Sequence, residues 1–365
     1  MKILILNWRD IKHPLAGGAE ISTHEHAKGW VKAGHEVFQF SSSFPNAKKE
    51  EVIDSIRIIR RGNHYTVHLY AFFYFLRYLR KRIDLIIDEF HFIPFFTPLY
   101  TKSKKLAFIH ETAEEIWLRH RLFPINIIGY FIEPLFFKLY RNIPFMTVSN
   151  STKNDLVRFG INKNNITIIN NGVNIVKRRS EKEKTATIIC LNKLSNDKGS
   201  EDAIYAFHEV LKYERNTHLW MVGKEDEKGY KEKLKQIAKN LGIENKIFFF
   251  GFVSEEKKFN LLGKAWILIH PSIKEGWGLN VIEAASCGTP TVAYDTSGLR
   301  DAIVDGQTGL LVKKRNPIEL GRSIYSLLNN QQFYNILSKN ALAWSKKFDW
   351  KKSAEESLKL IENII

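Results

Sequence analysis

The stretch His270-Pro-Ser-Ile-Lys-Glu275-Gly-Trp-Gly-Leu-Asn-Val-Ile-Glu283-Ala-Ala-Ser-Cys-Gly-Thr-Pro290 decides how this chain reads. An apolar run from Trp266 to His270 has the length and composition of a strand and stops at Pro271. A loop then carries Glu275, and an apolar helix is expected to open near Gly278. Amides at a helix N-terminus point at whatever sits above the turn, and the helix dipole favours a negative group there. Glycines at 276 and 278 let a phosphate approach the main chain with no Cβ in the way. At about 1.5 Å of rise per residue, the two glutamates lie roughly 10 Å apart along a helix axis. That exceeds the spacing of a hydrolytic acid/base or nucleophile pair. It suits two carboxylates gripping hydroxyls at opposite ends of a sugar nucleotide, with the diphosphate over the turn.

Outward from this stretch, apolar strand-like runs alternate with longer helical patterns, the mark of parallel α/β sheets. The first series is Lys2–Asn7, Glu36–Ser41, Asp84–Asp88, Lys105–His110, Phe145–Ser149 and Ile166–Asn170. A polar linker is expected from Arg178 to Thr185. The second series is Thr187–Leu191, His218–Val222, Lys246–Phe250, Trp266–His270, Thr291–Tyr294 and Gly309–Val312. Two doubly wound domains with a cleft between them follow, with ligands at the carboxyl ends of the strands.

Composition fits that reading. At 365 residues and 44% hydrophobic, the chain can fill two cores. Two cysteines, Cys190 and Cys287, cannot make a disulfide framework and point to a reducing compartment. The apolar run at the start is too short for a signal peptide and reads as a first strand. No run of about 20 uninterrupted apolar residues occurs. The formal net charge is +16. Residues 1–160 hold 23 Lys and Arg against 15 Asp and Glu, so +8 falls there and +8 in the remainder. A field spread this widely favours anionic partners. Nucleic acid is disfavoured, since no recognised module and no basic–aromatic stripe is present.

The two glutamates after a His-Pro-Ser strand end resemble the signature of retaining glycosyltransferases of family 4, which have the GT-B fold. That resemblance implies two Rossmann-like doubly wound parallel-sheet domains facing across a cleft. An acceptor-side domain would span 1–174 and a nucleotide-sugar domain 175–345, with a C-terminal helix over 346–365 crossing back onto the first. Other motifs carry the same resemblance. Gly17-Gly18 opens a helix and looks like the family's first-domain loop at the donor phosphate. His110 stands where the family has a His-Asp step, here His110-Glu111, and its imidazole or its backbone carbonyl is expected to stabilise positive charge at the anomeric carbon. Leu191-Asn-Lys-Leu-Ser-Asn-Asp-Lys-Gly199 places Lys193 on the family's arginine and Lys198 on its lysine, two cations for the diphosphate. Lysine lacks arginine's bidentate fork, so Lys193 would act as a point charge.

Gly276, Trp277, Gly278, Leu279 and Asn280 complete the expected diphosphate turn. Glu275 is assigned the sugar hydroxyls and Glu283 the ribose, with Phe252 and Val253 at the base. Ser297-Gly298 and Asp301 match a further glycine loop. Val148–Gly160 resembles a serine-capped helix of the family and Asn170–Asn174 a turn; both read as structural.

The implied activity is transfer of a sugar from a UDP- or GDP-sugar to an acceptor hydroxyl, forming an α-linkage. No cofactor or metal is expected, because Asp-x-Asp is absent and no zinc spacing occurs. The alternative is an epimerase or phosphorylase on the same fold. A phosphorylase needs pyridoxal phosphate and usually a far longer chain. The expected partners are a nucleotide sugar and a sugar or lipid-linked acceptor. A cytoplasmic location is expected, with attachment to an anionic membrane face. That attachment rests on the aromatic and basic segment His64–Arg82, expected to form one helix, and on Phe90–Tyr100 and Leu122–Tyr140, edged by Lys102, Lys104, Lys105, Arg119 and Arg121.

Overall fold

The structure of the protein, a computed structural model, describes residues 1–120, 123–174, 180–313 and 315–365, and the side chains of all of these but 119 and 120. The chain divides into two compact units, Met1–Gly172 with Trp350–Ile365, and Val173–Asp349.

The first unit is built on eight strands: β1 (Lys2–Leu6), β2 (Glu36–Ser41), β3 (Glu50–Ile53), β4 (Ile56–Arg60), β5 (Leu85–Phe90), β6 (Lys104–Ile109), β7 (Phe145–Thr147) and β8 (Ile166–Ile168). They lie in the order β3-β4-β2-β1-β5-β6-β7-β8. Every pair is parallel except the β3–β4 edge. β1 and β5 read as near-continuous apolar runs because helices cover both faces of a parallel sheet.

The second unit carries β9 (Ala186–Leu191), β10 (Thr217–Val222), β11 (Ile247–Gly251), β12 (Ile267–His270), β13 (Thr291–Tyr294) and β14 (Gly309–Val312). Their order, β11-β10-β9-β12-β13-β14, reverses direction between β9 and β12, all pairs being parallel. A crevice opens at the carboxyl ends of the strands where such an order reverses. Its core runs from Ile188 and Cys190 through Phe207, Leu219 and Met221 to Ile324 and Leu337.

The last helix, Trp350–Glu362, belongs to the first unit and lies on the Gly18–Lys32 helix. A Cβ on Gly29 would fall 2.5 Å from Cβ of Ala354, so only glycine lets the two helices approach this closely. Trp30 Nε1 donates to the Ser357 hydroxyl at 3.0 Å, and His26 Nδ1 lies 2.9 Å from the same oxygen.

Several elements differ from the sequence reading. The β3–β4 hairpin was not expected; its turn residues Asp54 and Ser55 both have positive φ, the geometry of a tight two-residue hairpin turn. β5 continues past Asp88 to Phe90, taking two fully buried acids into an otherwise apolar strand. The segment His64–Arg82 is not one α-helix. It is helical over Val67–Tyr74, passes into a π-helical turn over Phe75–Leu79 and stops. The described part of the expected linker is tied down. Lys182 Nζ donates to the Ala265 carbonyl at 2.6 Å, and the Glu183 amide to Lys264 O at 2.9 Å. Arg178, like Arg121, lies outside the described residues, as does the Arg119 side chain.

Candidate functional site

In the second unit the chain leaves β12 at His270 and must turn into the Leu279–Ser286 helix. Gly278 caps that helix with φ 78° and ψ 52°, a left-handed conformation that side chains resist. The loop between is held by its neighbours: Ile273 N donates to Asp197 O at 2.9 Å and Glu275 N to Ser297 O at 3.1 Å. Gly298 presses on it so closely that a Cβ would fall 2.1 Å from the Glu275 carbonyl oxygen. Asn280 Nδ2 donates to Leu191 O at 2.6 Å and Asn192 Oδ1 at 2.9 Å, which fastens the helix start to the end of β9.

Loops after β9 and β12 therefore meet at the point where the strand order reverses. There Lys198 Nζ reaches Glu275 Oε1 at 2.9 Å, with side chains 17% and 16% exposed. Burial alone would raise the Glu275 carboxyl, but the Lys198 ammonium beside it holds it below its ordinary value. His270, buried at the strand end, is pushed down to about 4 by burial and stays a neutral imidazole.

The other predicted residues of this unit fall as follows. Lys193 is half exposed and pairs with Asp226 at 2.8 Å, so both cations of the expected diphosphate pair already hold carboxylates. Glu283 sits inside the helix with Oε1 2.5 Å from Lys258 Nζ; burial raises its carboxyl, against Lys258. Gly276 lies in the turn between Glu275 and the helix, and Leu279 is the helix's first residue. Trp277, a residue of the same turn, has a buried indole whose ring lies 5.0 Å from that of Phe348. Phe252 stands 73% exposed just beyond β11, its ring 4.6 Å from Lys224 Nζ, and Val253 is half-buried next to it.

In the first unit Gly17 caps the Gly18–Lys32 helix, but its amide is taken by Glu20 Oε2 at 2.7 Å. The amide expected to face a phosphate thus meets a carboxylate of its own helix in this structure. Glu20 in turn pairs with Arg9 at 2.8 Å.

His110 follows directly on β6. Its Nε2 is 3.1 Å from Glu89 Oε1, and its carbonyl accepts from Thr152 Oγ1 at 3.0 Å. The loop behind it is pinned by Glu133, which accepts from the amides of Ala113 and Glu114, each at 2.7 Å. Glu89 also takes the Thr23 hydroxyl at 2.8 Å and lies 3.4 Å from His91 Nε2. Burial pushes its carboxyl up, yet the hydrogen bonds from His110 and His91 bring it down to about 2.

Glu89, His91, Arg9, Glu20 and Lys258 were not singled out in the sequence. The only signal available was Asp88-Glu89 inside an apolar strand, since buried acids demand partners. Among the described residues no group of three or more His, Cys, Asp or Glu is placed to hold a metal ion.

Two units, each with a parallel sheet between helices, with a cation–carboxylate pair at the strand-order reversal of one and a histidine–carboxylate cluster at the strand ends of the other, fit the GT-B class. The chain superimposes on a sucrose-phosphate synthase from Thermosynechococcus elongatus with a TM-score of 0.83, at 18% identity over 100% of this chain and 98% of that one. HepE of Anabaena in complex with UDP-glucose gives 0.79 at 18% identity over the whole of both chains. An uncharacterized glycosyltransferase of Methanocaldococcus jannaschii is 26% identical over 96% of each chain. The model of glycosyl transferases group 1 matches 174–344 and that of glycosyltransferase family 4 matches 16–177. The chain belongs to the family 4 glycosyltransferases and has the GT-B fold.

Proposed function

We propose that this glycosyltransferase moves a sugar from a UDP- or GDP-sugar to an acceptor hydroxyl with retention, forming an α-glycosidic bond. The observation that carries the reading is the Lys198–Glu275 pair at the strand-order reversal, with Glu283 just past the first turn of the helix that follows. A nucleotide sugar presents the groups these residues suit. Its diphosphate takes Lys198, Lys193 and the amides of the turn around Gly276 and Gly278. The sugar hydroxyls take Glu275, and the ribose takes Glu283. As the glycosidic bond breaks, negative charge grows on the diphosphate, and the cations stabilise it. The departing phosphate accepts the acceptor's proton, and the lysines with the helix N-terminus take the place of a metal at the leaving group. His110, held by Glu89, stabilises positive charge on the sugar. HepE, a structural neighbour, was captured with UDP-glucose, which supports a nucleotide-sugar donor here.

The acceptor belongs to glycolipid, lipid-linked oligosaccharide or cell-surface polysaccharide synthesis, reached from an anionic membrane face. Leu69 and Phe73 on one helix of the first unit, and Ile125, Phe131 and Leu135 on another, are exposed. No helix of the described residues is long and apolar enough to cross a membrane. Lys105 is removed from the expected basic edge: it is buried and donates to Thr101 O and Ser103 O, both at 2.7 Å.

A screen of UDP- and GDP-sugars that measures nucleotide release, with and without candidate acceptors, tests the reading. Release of UDP or GDP from one donor supports it; no release and no thermal shift with any donor overturns it.

A further inference from the structure

We propose that Lys258 is a positioning residue of the donor site: it anchors one oxygen of the Glu283 carboxylate and leaves the other to accept the hydroxyls of the donor's ribose. The inference rests on the reading that Glu283 takes the ribose.

Glu283 lies in a helix whose residues Val281–Ser286 are all buried, and its own side chain is 8% exposed. Its Oε1 is 2.5 Å from Lys258 Nζ, whereas Oε2 is buried with no hydrogen-bond partner. A buried carboxylate oxygen left without a donor is costly, and native structures rarely keep one without a use for it. Lys258 sits on the neighbouring Glu255–Lys264 helix, its side chain 20% exposed and its ammonium 4.9 Å from the Phe259 ring. Stability does not explain the pair well. Desolvating two charges offsets their attraction, and apolar replacements of such pairs are often neutral.

What the pair does supply is a carboxylate held in place, with a cation beside it that favours its charged form. Burial raises the Glu283 carboxyl, Lys258 opposes this, and Glu255 adds to it. Glu255 itself accepts from Asn174 at 2.8 Å. Glu283 in turn acts on Cys287, a thiol that burial raises to about 11 and that Lys182 and Lys258 oppose. Lys258 is thus the cation in direct contact with Glu283. Without it the carboxyl protonates at a higher pH and loses an acceptor that a ribose hydroxyl requires.

The test is isothermal titration of the full chain with UDP and with GDP between about pH 5.5 and 8.5. It uses Lys258→Met, Lys258→Gln, Lys258→Arg, Glu283→Gln and the double variant Lys258→Met/Glu283→Gln. Lys258→Met is expected to weaken the preferred nucleotide about tenfold at neutral pH and to move the acid limb of binding upward. Lys258→Gln, which keeps length and polarity, carries the same expectation if the methionine variant fails to fold. Lys258→Arg keeps affinity and limb, and Lys258→Met adds no further loss to Glu283→Gln. If both neutral variants bind with wild-type affinity and an unmoved limb while Glu283→Gln binds poorly, the inference falls alone. A lowered melting temperature without a moved limb marks a structural ion pair and overturns it equally. Wild-type binding by Glu283→Gln overturns the ribose reading, and the inference with it.

Discussion

Lys198 and Glu275, 77 residues apart in the chain, meet as an ion pair with Nζ 2.9 Å from Oε1. Neither residue reaches the other through its own secondary structure. Two loops bring them together, each held main chain to main chain. A Cβ on Gly199 would fall 2.1 Å from Pro271 O, and one on Gly298 just as close to Glu275 O. Both glycines have positive φ, so an alanine at either position meets strain as well as collision.

Lys198→Ala removes the cation assigned to the diphosphate and leaves Glu275 buried without its partner. Turnover of the preferred donor should fall at least about a hundredfold, the size seen when one charge-stabilising group is lost. Circular dichroism should remain that of the wild type. Wild-type turnover by a folded Lys198→Ala protein excludes Lys198 from the reaction.

Glu89→Gln separates holding His110 from folding. The Glu89 carboxyl is depressed from 4.5 to about 2, so its contribution to stability is complete above pH 4.5 and is lost as pH falls toward 2. The variant should be less stable than the wild type at neutral pH, on the order of a few kcal/mol, with the gap closing in that acid window. Donor turnover should drop while UDP or GDP binding holds, since the nucleotide contacts are assigned to the second unit. Denaturant melts from about pH 2 to 7 measure the first effect, and a kcat comparison beside nucleotide titration the second. Unchanged turnover in a folded variant shows that His110 does not need this carboxylate.

Chelation tests the metal-free reading. The lysines and the helix N-terminus are expected to carry the leaving group's charge, so activity should persist after dialysis against EDTA. Activity that vanishes and returns only with magnesium or manganese refutes that expectation.

Membrane attachment is read by co-sedimentation with liposomes. Binding should rise with the anionic lipid fraction and fall with salt, each exposed basic residue contributing about 1 kcal/mol near the surface. Replacing Phe131 and Leu135 by serine should weaken it without altering nucleotide affinity. A chain that stays in the supernatant at low salt, with liposomes rich in anionic lipid, ends the proposal.

The alternation of apolar runs and helical patterns was legible because it is local: each strand of a parallel sheet is buried on both faces and shows its composition directly. The turn around Gly276 and Gly278, the serine cap at Ser149 and the run of strands from Ala186 to Val312 needed only neighbouring residues to be read. The β3–β4 hairpin escaped, since its strands are short and Asp54-Ser55 is a weak turn signal beside Asn-Gly. Partnerships escaped altogether. Glu20 on the Gly17 amide, Glu89 on His110, Lys258 on Glu283 and Asp226 on Lys193 each join residues separated in the chain or facing by chance of the local turn. By itself the sequence determined which residue types stand at the ends of which strands, because burial and backbone geometry write that pattern into neighbouring positions. Only the tertiary structure decided which charges those residues face, because strand order and loop contact set those distances, and the same ionisable group is a ligand, an anchor or a lock according to its partner.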